Sequence, residues 1–264
     1  MHNKYIYLLS LIVVLAFGTS CDPDNKKDYS EEDIKTIKAL PETHISFITE
    51  FYPNVVKANN QILEKRKHLI KYRDDFPNAI KRNKKLNRLN KIADKYRLTD
   101  SLFNKGLTKS EYLSRMDKLL FRVDVIPEKL VMAQAIIESG WGSSEYAKSI
   151  NNYFGIHCNT PGCGKPPSAV DDPKFWVKSF PGIEDCIEEY LWLLNTGFAY
   201  KDLRETRLKL QKENNFPNAM EMAKGLKRYS EKGNEYVTLV QSIIKNYLPN
   251  DLNAFVDYHQ NATP

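Results

Sequence analysis

Residues 130–142 read LVMAQAIIESGWG. The first eight of them are apolar nearly all round, so the helix they predict is buried rather than amphipathic. Pro127 and Glu128 are start signals just upstream, and Gly140 supplies the stop. The helix therefore ends on a carboxylate, Glu138. Loss of water among apolar neighbours and the negative end of the helix dipole both raise the pKa of a carboxyl group placed there. A carboxyl held protonated near neutral pH is what a general acid needs to protonate a leaving oxygen. Trp141 beside it offers a flat apolar face of the kind sugar rings stack on. A glutamate that merely caps or pairs at a helix end has the same spacing, and spacing alone leaves both readings open.

Working outward, helical signals dominate. Residues 34–40 form a short segment ended near Pro41. Residues 43–73 predict a long helix in which Ile45, Phe47, Ile48, Phe51, Tyr52, Val55, Val56, Ile62 and Leu63 alternate with a lysine-rich face. Pro53 inside it is expected to break or kink it. Residues 77–96 and 108–121 predict further helices. Beyond Gly140, residues 153–180 are rich in Gly, Pro and Asn, with a β-like piece at 174–178, KFWVK, and predict an irregular loop or small hairpin. Helices resume over 183–194, 200–211, 217–226 and 234–247. The class is α+β, mainly α with a small β element. The chain divides into 1–21, 22–32, a helical N-terminal extension over 33–121, a catalytic domain over 122–250, and a tail over 251–264.

The first 21 residues read as a signal peptide. Residues 6–17 are apolar except for Ser10, and Gly18-Thr19-Ser20 precede Cys21. Twelve residues span only ~18 Å as a helix, too short for a ~30 Å bilayer core. Small residues before a lone cysteine resemble a bacterial lipobox, in which Cys21 is lipidated and becomes the first mature residue; a leucine more usually stands where Gly18 does. Residues 22–32 are then a flexible tether. The expected location is the exported face of a bacterial envelope, anchored by lipid. Export permits disulfides. Cys158 and Cys163 flank the turn-forming stretch Asn159-Thr160-Pro161-Gly162, so they are expected to bond to each other. A metal site made with His157 is the rival reading. Cys186 is expected to be a buried free thiol in a helix.

The 264 residues carry a formal net charge of +6. Eleven glycines argue against an all-β or repeat design, and no internal repeat or low-complexity tract is present. The densest basic cluster, Lys81-Arg82-Asn83-Lys84-Lys85 followed by Arg88, Lys91 and Lys95, reads as a solvated helix face. No nucleic-acid module accompanies it, so nucleic acid is not an expected partner.

The stretch AQAIIESGWGSS, followed by NNYFGI at 151–156, closely resembles the glucosaminidase domain of bacterial cell-wall hydrolases. Two motifs in order at a fitting gap make the match specific. Residues 175–180 (FWVKSF), 200–204 (YKDLR) and 223–237 (AKGLKRYSEKGNEYV) are similar to later blocks of its Bax-type branch, and residues 34–66 to that branch's helical extension. The resemblance implies a lysozyme-like catalytic domain with a small β lobe and β-N-acetylglucosaminidase activity on peptidoglycan. No cofactor or metal is implied, and a monomer is expected. Glu138 corresponds to the catalytic acid. Trp141 and the turn Asn152, Tyr153, Phe154 and Gly155 correspond to the substrate-binding cleft wall. Tyr229 corresponds to a tyrosine lining the cleft, although an ordinary core or surface tyrosine is the alternative.

Glycoside hydrolysis usually needs a second carboxylate. Asp171 and Asp172 lie in the region after the N-Y-F-G turn, Glu145 follows Glu138 more closely, and assistance by the substrate's N-acetyl group needs no second carboxylate at all. Two other classes stay open: a muramidase or lytic transglycosylase of lysozyme-like fold, and a non-catalytic wall-binding lipoprotein. The first of these typically carries a G-L-M-Q-like turn after its glutamate, which this chain lacks.

Overall fold

The computed structural model describes residue 35 and residues 39–167, 174–213 and 216–261. The signal-like start, Cys21, residues 22–32, Asp171 and Asp172 lie outside these residues. Helix α1, Glu42–Asp74, is built on Ile45, Ile48, Tyr52, Val55, Asn59 and Ile62, which recur every three or four residues and are all buried. The helix is continuous through Pro53, against the expected break. Phe51, Tyr52 and Val55 are buried on either side of the proline, so tertiary packing holds the segment helical where propensity alone would end it.

Residues 77–96 form two helices rather than one: α2, Asn78–Lys81, and α3, Asn83–Lys95, divided by Arg82 in an extended conformation. Lys84, Arg88 and Lys91 of α3 are exposed, as a solvated face requires. Helix α4, Lys109–Arg122, starts from a capping box in which Thr108 and Glu111 satisfy each other's backbone N–H groups. Helix α5, Glu128–Ser139, is buried from Leu130 to Ile136. The approach to α5 is pinned by α1: Asn59 donates to the Ile126 carbonyl at 2.8 Å and accepts from its N–H at 3.3 Å. After the short helix α6, Glu145–Ile150, come strands β1, His157–Cys158, β2, Gly164–Lys165, and β3, Trp176–Lys178.

The three strands form an antiparallel sheet in the order β1-β3-β2, with His157 opposite Val177 and Gly164 opposite Lys178. A Cβ on Gly164 would stand 1.9 Å from the Val177 carbonyl oxygen, so only glycine permits this pairing. The expected Cys158–Cys163 disulfide is present and closes the β1–β2 connection. Both sulfurs are thereby used, which removes the rival metal reading with His157. Cys186, also as expected, is a buried free thiol on α7, Ile183–Thr196.

Helices α8, Lys201–Lys212, α9, Ala219–Ala223, and α10, Asn234–Asn246, follow. Residues assigned to a tail include a further helix, α11, Leu252–Asn261, whose Phe255 is fully buried. It packs on α1. One hydrophobic core runs from Ile45 to Val256, so the N-terminal helices and the helices after residue 122 share it. Among the described residues no helix is long and apolar enough to cross a membrane.

Candidate active site

The chain reverses sharply where α5 ends. Gly140, Trp141 and Gly142 all take left-handed backbone conformations, with φ of 56°, 58° and 72°. A tryptophan rarely adopts such a φ, and strain of this kind is typically ~1–3 kcal/mol and gathers at functional sites. Ser139 holds the turn: its hydroxyl donates to the Ala135 carbonyl at 2.6 Å and accepts from the Gly142 N–H at 2.8 Å. The motif's small residues thus serve a reversal that leaves Glu138 at the mouth of a buried helix.

Glu138 is exposed at that mouth, yet its carboxyl group is crowded by protein on its inner side. The crowding raises its pKa through desolvation, opposed in part by a hydrogen bond from Tyr236. Residue exposure and partial desolvation of the carboxyl thus coexist at Glu138. The Tyr236 hydroxyl donates to Oε1 of Glu138 at 2.7 Å. It accepts in turn from Nε2 of Gln134 at 3.0 Å, and the Gln134 carbonyl oxygen accepts from the Tyr190 hydroxyl. Gln134 and Tyr236 are buried. The chain Tyr190 to Gln134 to Tyr236 to Glu138 therefore has every donor aimed the same way, toward the carboxylate.

Tyr229 belongs to the same cluster. Its ring stacks on Tyr236 at 5.2 Å, its hydroxyl donates to the Phe154 carbonyl at 3.1 Å, and the Tyr200 ring lies 5.9 Å away. Burial, then neighbouring Tyr190 and Glu138, pushes the Tyr229 phenol well above its ordinary pKa, so it is a neutral donor and no base. Tyr229 thereby joins the N-Y-F-G turn to the partners of Glu138.

The turn residues divide by role. Asn152 is buried and spends its side chain on the protein, donating to the Ile156 and Lys178 carbonyls at 2.8 Å each and accepting from the Phe154 and Ile156 N–H groups at 3.3 and 3.0 Å. It ties the turn to β3. Phe154 is buried and stacks on Tyr190 at 3.8 Å. Tyr153 packs on Phe51 of α1 at 5.0 Å. Gly155 is exposed, with open space where a side chain would begin. Trp141 is stacked on His44 of α1 at 3.7 Å and edged by Phe47 and Tyr247, so one face of its ring is already covered by the protein. Glu145 is exposed and pairs loosely with Lys165 of β2 at 3.4 Å. Among the described residues no His, Cys, Asp and Glu group could hold a metal.

Tyr236, Gln134 and Tyr190 were missing from the sequence reading of the site. Gln134 carried a signal: an amide in the middle of an otherwise apolar buried helix must find partners.

Residues 115–249, from within α4 to just past α10, match the glucosaminidase family, described as mannosyl-glycoprotein endo-beta-N-acetylglucosaminidase. The chain belongs to the glucosaminidase family. The matched span contains Glu138, the N-Y-F-G turn, Tyr229 and Tyr236. Beyond the span, the chain is 30% identical over 223 residues to Protein bax of Escherichia coli (strain K12), covering 80% of this chain and 75% of that protein. No solved structure matches significantly. Within the matched span, Glu138 is a partly desolvated glutamate held by a directed hydrogen-bond chain.

Proposed function

We propose that this glucosaminidase-family protein is an endo-β-N-acetylglucosaminidase that hydrolyses the β-1,4 glycan strand of peptidoglycan, with Glu138 as general acid. The observation that carries the reading is the Tyr236–Glu138 contact at the end of a buried helix. Tyr236 occupies Oε1, so the acid proton sits on Oε2, toward the cleft. From there it passes to the glycosidic oxygen as the bond to the sugar breaks, leaving Glu138 as carboxylate. Tyr229 and the Asn152-held turn form the wall, and Trp141 offers its uncovered face and edge. Asp171 or Asp172 supplies the second carboxylate; Glu145 and the substrate's own N-acetyl oxygen are the other routes. The protein acts as a monomer without cofactor, exported and held to the membrane by lipid on Cys21.

Borohydride reduction of a peptidoglycan digest followed by sugar analysis tests the bond specificity. Glucosaminitol is the expected product. Muramitol would make the enzyme a muramidase and anhydro-muramic ends a transglycosylase, while binding without turnover would make it a wall-binding protein.

A further inference from the structure

Away from Glu138, a groove of about 870 Å³ runs between α4 and α8. Four cations line it, Lys118, Arg122, Lys201 and Arg204, against two carboxylates, Asp100 and Asp117. Asp117 already pairs with Arg73 at 2.9 Å. Arg204 is the unusual member. It is 3% exposed, and its Nε has no hydrogen-bond partner among the described residues. Its Nη1 donates to neutral carbonyls, Leu194 at 2.8 Å and Gly197 at 2.9 Å, and its guanidinium lies 5.8 Å over the Phe121 ring. Arg207, one turn on, is also buried but has Asp124 at 3.7 Å. Buried guanidinium groups ordinarily carry a carboxylate partner. Among the described residues neither Arg204 nor Arg122 forms an ion pair, and each sits below its ordinary pKa, chiefly through burial. Lys201 pairs with Glu205 at 3.2 Å, and Asp100 and Glu205 act electrostatically on Arg122 and Arg204, so the groove's positive charge is offset only in part.

Its walls are not those of a simple phosphate site. Leu113, Phe121, Leu208 and the 80% exposed Phe198 give it apolar sides, and Ser110, Ser114 and Thr196 add hydroxyls. Apolar walls, hydroxyls and arginines without an ion pair match a short peptide with small apolar side chains and free carboxylates. One end of the groove connects to Glu138 through packed rings: Phe198 and Tyr200 share a single 3₁₀ turn, Tyr200 lies 5.9 Å from Tyr229, and Tyr229 stacks on the Tyr236 that donates to Glu138. A peptide of four or five residues spans about 15 Å when extended, a length that can lie along α4 and α8.

Resting on the activity proposed above, we infer that the α4–α8 groove binds the carboxylate-bearing stem peptide of the glycan strand, so that the enzyme selects strands that still carry stems.

The test compares stem-bearing strands with strands stripped by an amidase, and measures binding of a synthetic stem tetrapeptide to the intact protein. The expected result is a KM roughly tenfold lower on stem-bearing strands, the order of a charge-assisted contact. The K118E/K201E variant loses that preference and the tetrapeptide binding. Reversing two exposed lysines of α3, K84E/K91E, alters neither. Equal KM on both substrates, or a preference that survives K118E/K201E, overturns the inference. Should the protein cut neither strand, the proposed activity fails, and tetrapeptide binding lost in K118E/K201E but not in K84E/K91E still sustains the groove. Tighter binding of poly(glycerol phosphate) than of the tetrapeptide at the same lysines would replace the peptide by a phosphate polymer.

Discussion

Tyr236→Phe removes one oxygen and separates two roles that a single loss of activity would confound. In the protein that hydroxyl donates to Glu138 and accepts from Gln134. On the stability side, Gln134 is fully buried, and its Nε2 would lose its partner. An unsatisfied buried donor costs about 1–3 kcal/mol, or roughly 2–12 °C in Tm for a chain of this size. On the catalytic side, the bond to Glu138 favours the charged carboxylate, so its loss raises the carboxyl pKa further. The acid works only when protonated, so activity falls as pH rises through that pKa, and the alkaline limb of kcat/KM should move to higher pH in the variant. Yet Oε1 is then unheld, and kcat should fall by roughly ten- to hundredfold, the worth of a hydrogen bond to a charged group. The assay is a pH–rate profile on soluble glycan beside a thermal melt. A variant that melts lower but keeps kcat and an unmoved alkaline limb would show that Tyr236 supports the fold alone, and the directed chain to Glu138 would have no catalytic meaning.

Four other outcomes are expected. Glu138→Gln should lower turnover by ~10²-fold or more; because burial raises the native pKa of this carboxyl, its favourable share of stability is present at acid pH and lost as pH rises through that pKa, so the amide should melt no lower than the parent at neutral pH. Asn152→Ala strands two N–H groups and two carbonyl contacts, and urea titration should show a loss of about 3 kcal/mol. Reducing Cys158–Cys163, which closes a loop of sequence separation 5, should cost about 2 kcal/mol and raise amide exchange along 157–165 first; uniform exchange change across the helices would contradict a local role. Metabolic fatty-acid labelling should disappear in Cys21→Ala, and labelling that persists ends the lipid assignment.

Most helices were legible because their signals are local. The run of apolar residues before Gly140 and the turn formers between Cys158 and Cys163 each act within a few residues, and the structure carries both. The helix over 252–261 was equally local, with Leu252, Phe255 and Val256 at helical spacing, and was passed over as a tail. What sequence did not disclose depends on distant partners. Nothing near Pro53 announces that its neighbours are buried, and nothing near Trp141 announces that His44, nearly a hundred residues earlier, lies flat against it. Glu138 was legible as a carboxylate at the end of a buried helix. Its orientation was not, because Tyr236 reaches it from a separate helix.

The grip of Asn59 on Ile126 bears on how such proteins can be rearranged. The family match opens at residue 115, but α5, the helix that carries Glu138, takes its starting position from a side chain in α1 and shares that helix's core. Domain shuffling that moved the matched segment alone would transplant half a core and an unsatisfied backbone pair. The N-terminal helices and the glucosaminidase segment are therefore one heritable unit, whose productive recombination points lie upstream of residue 42.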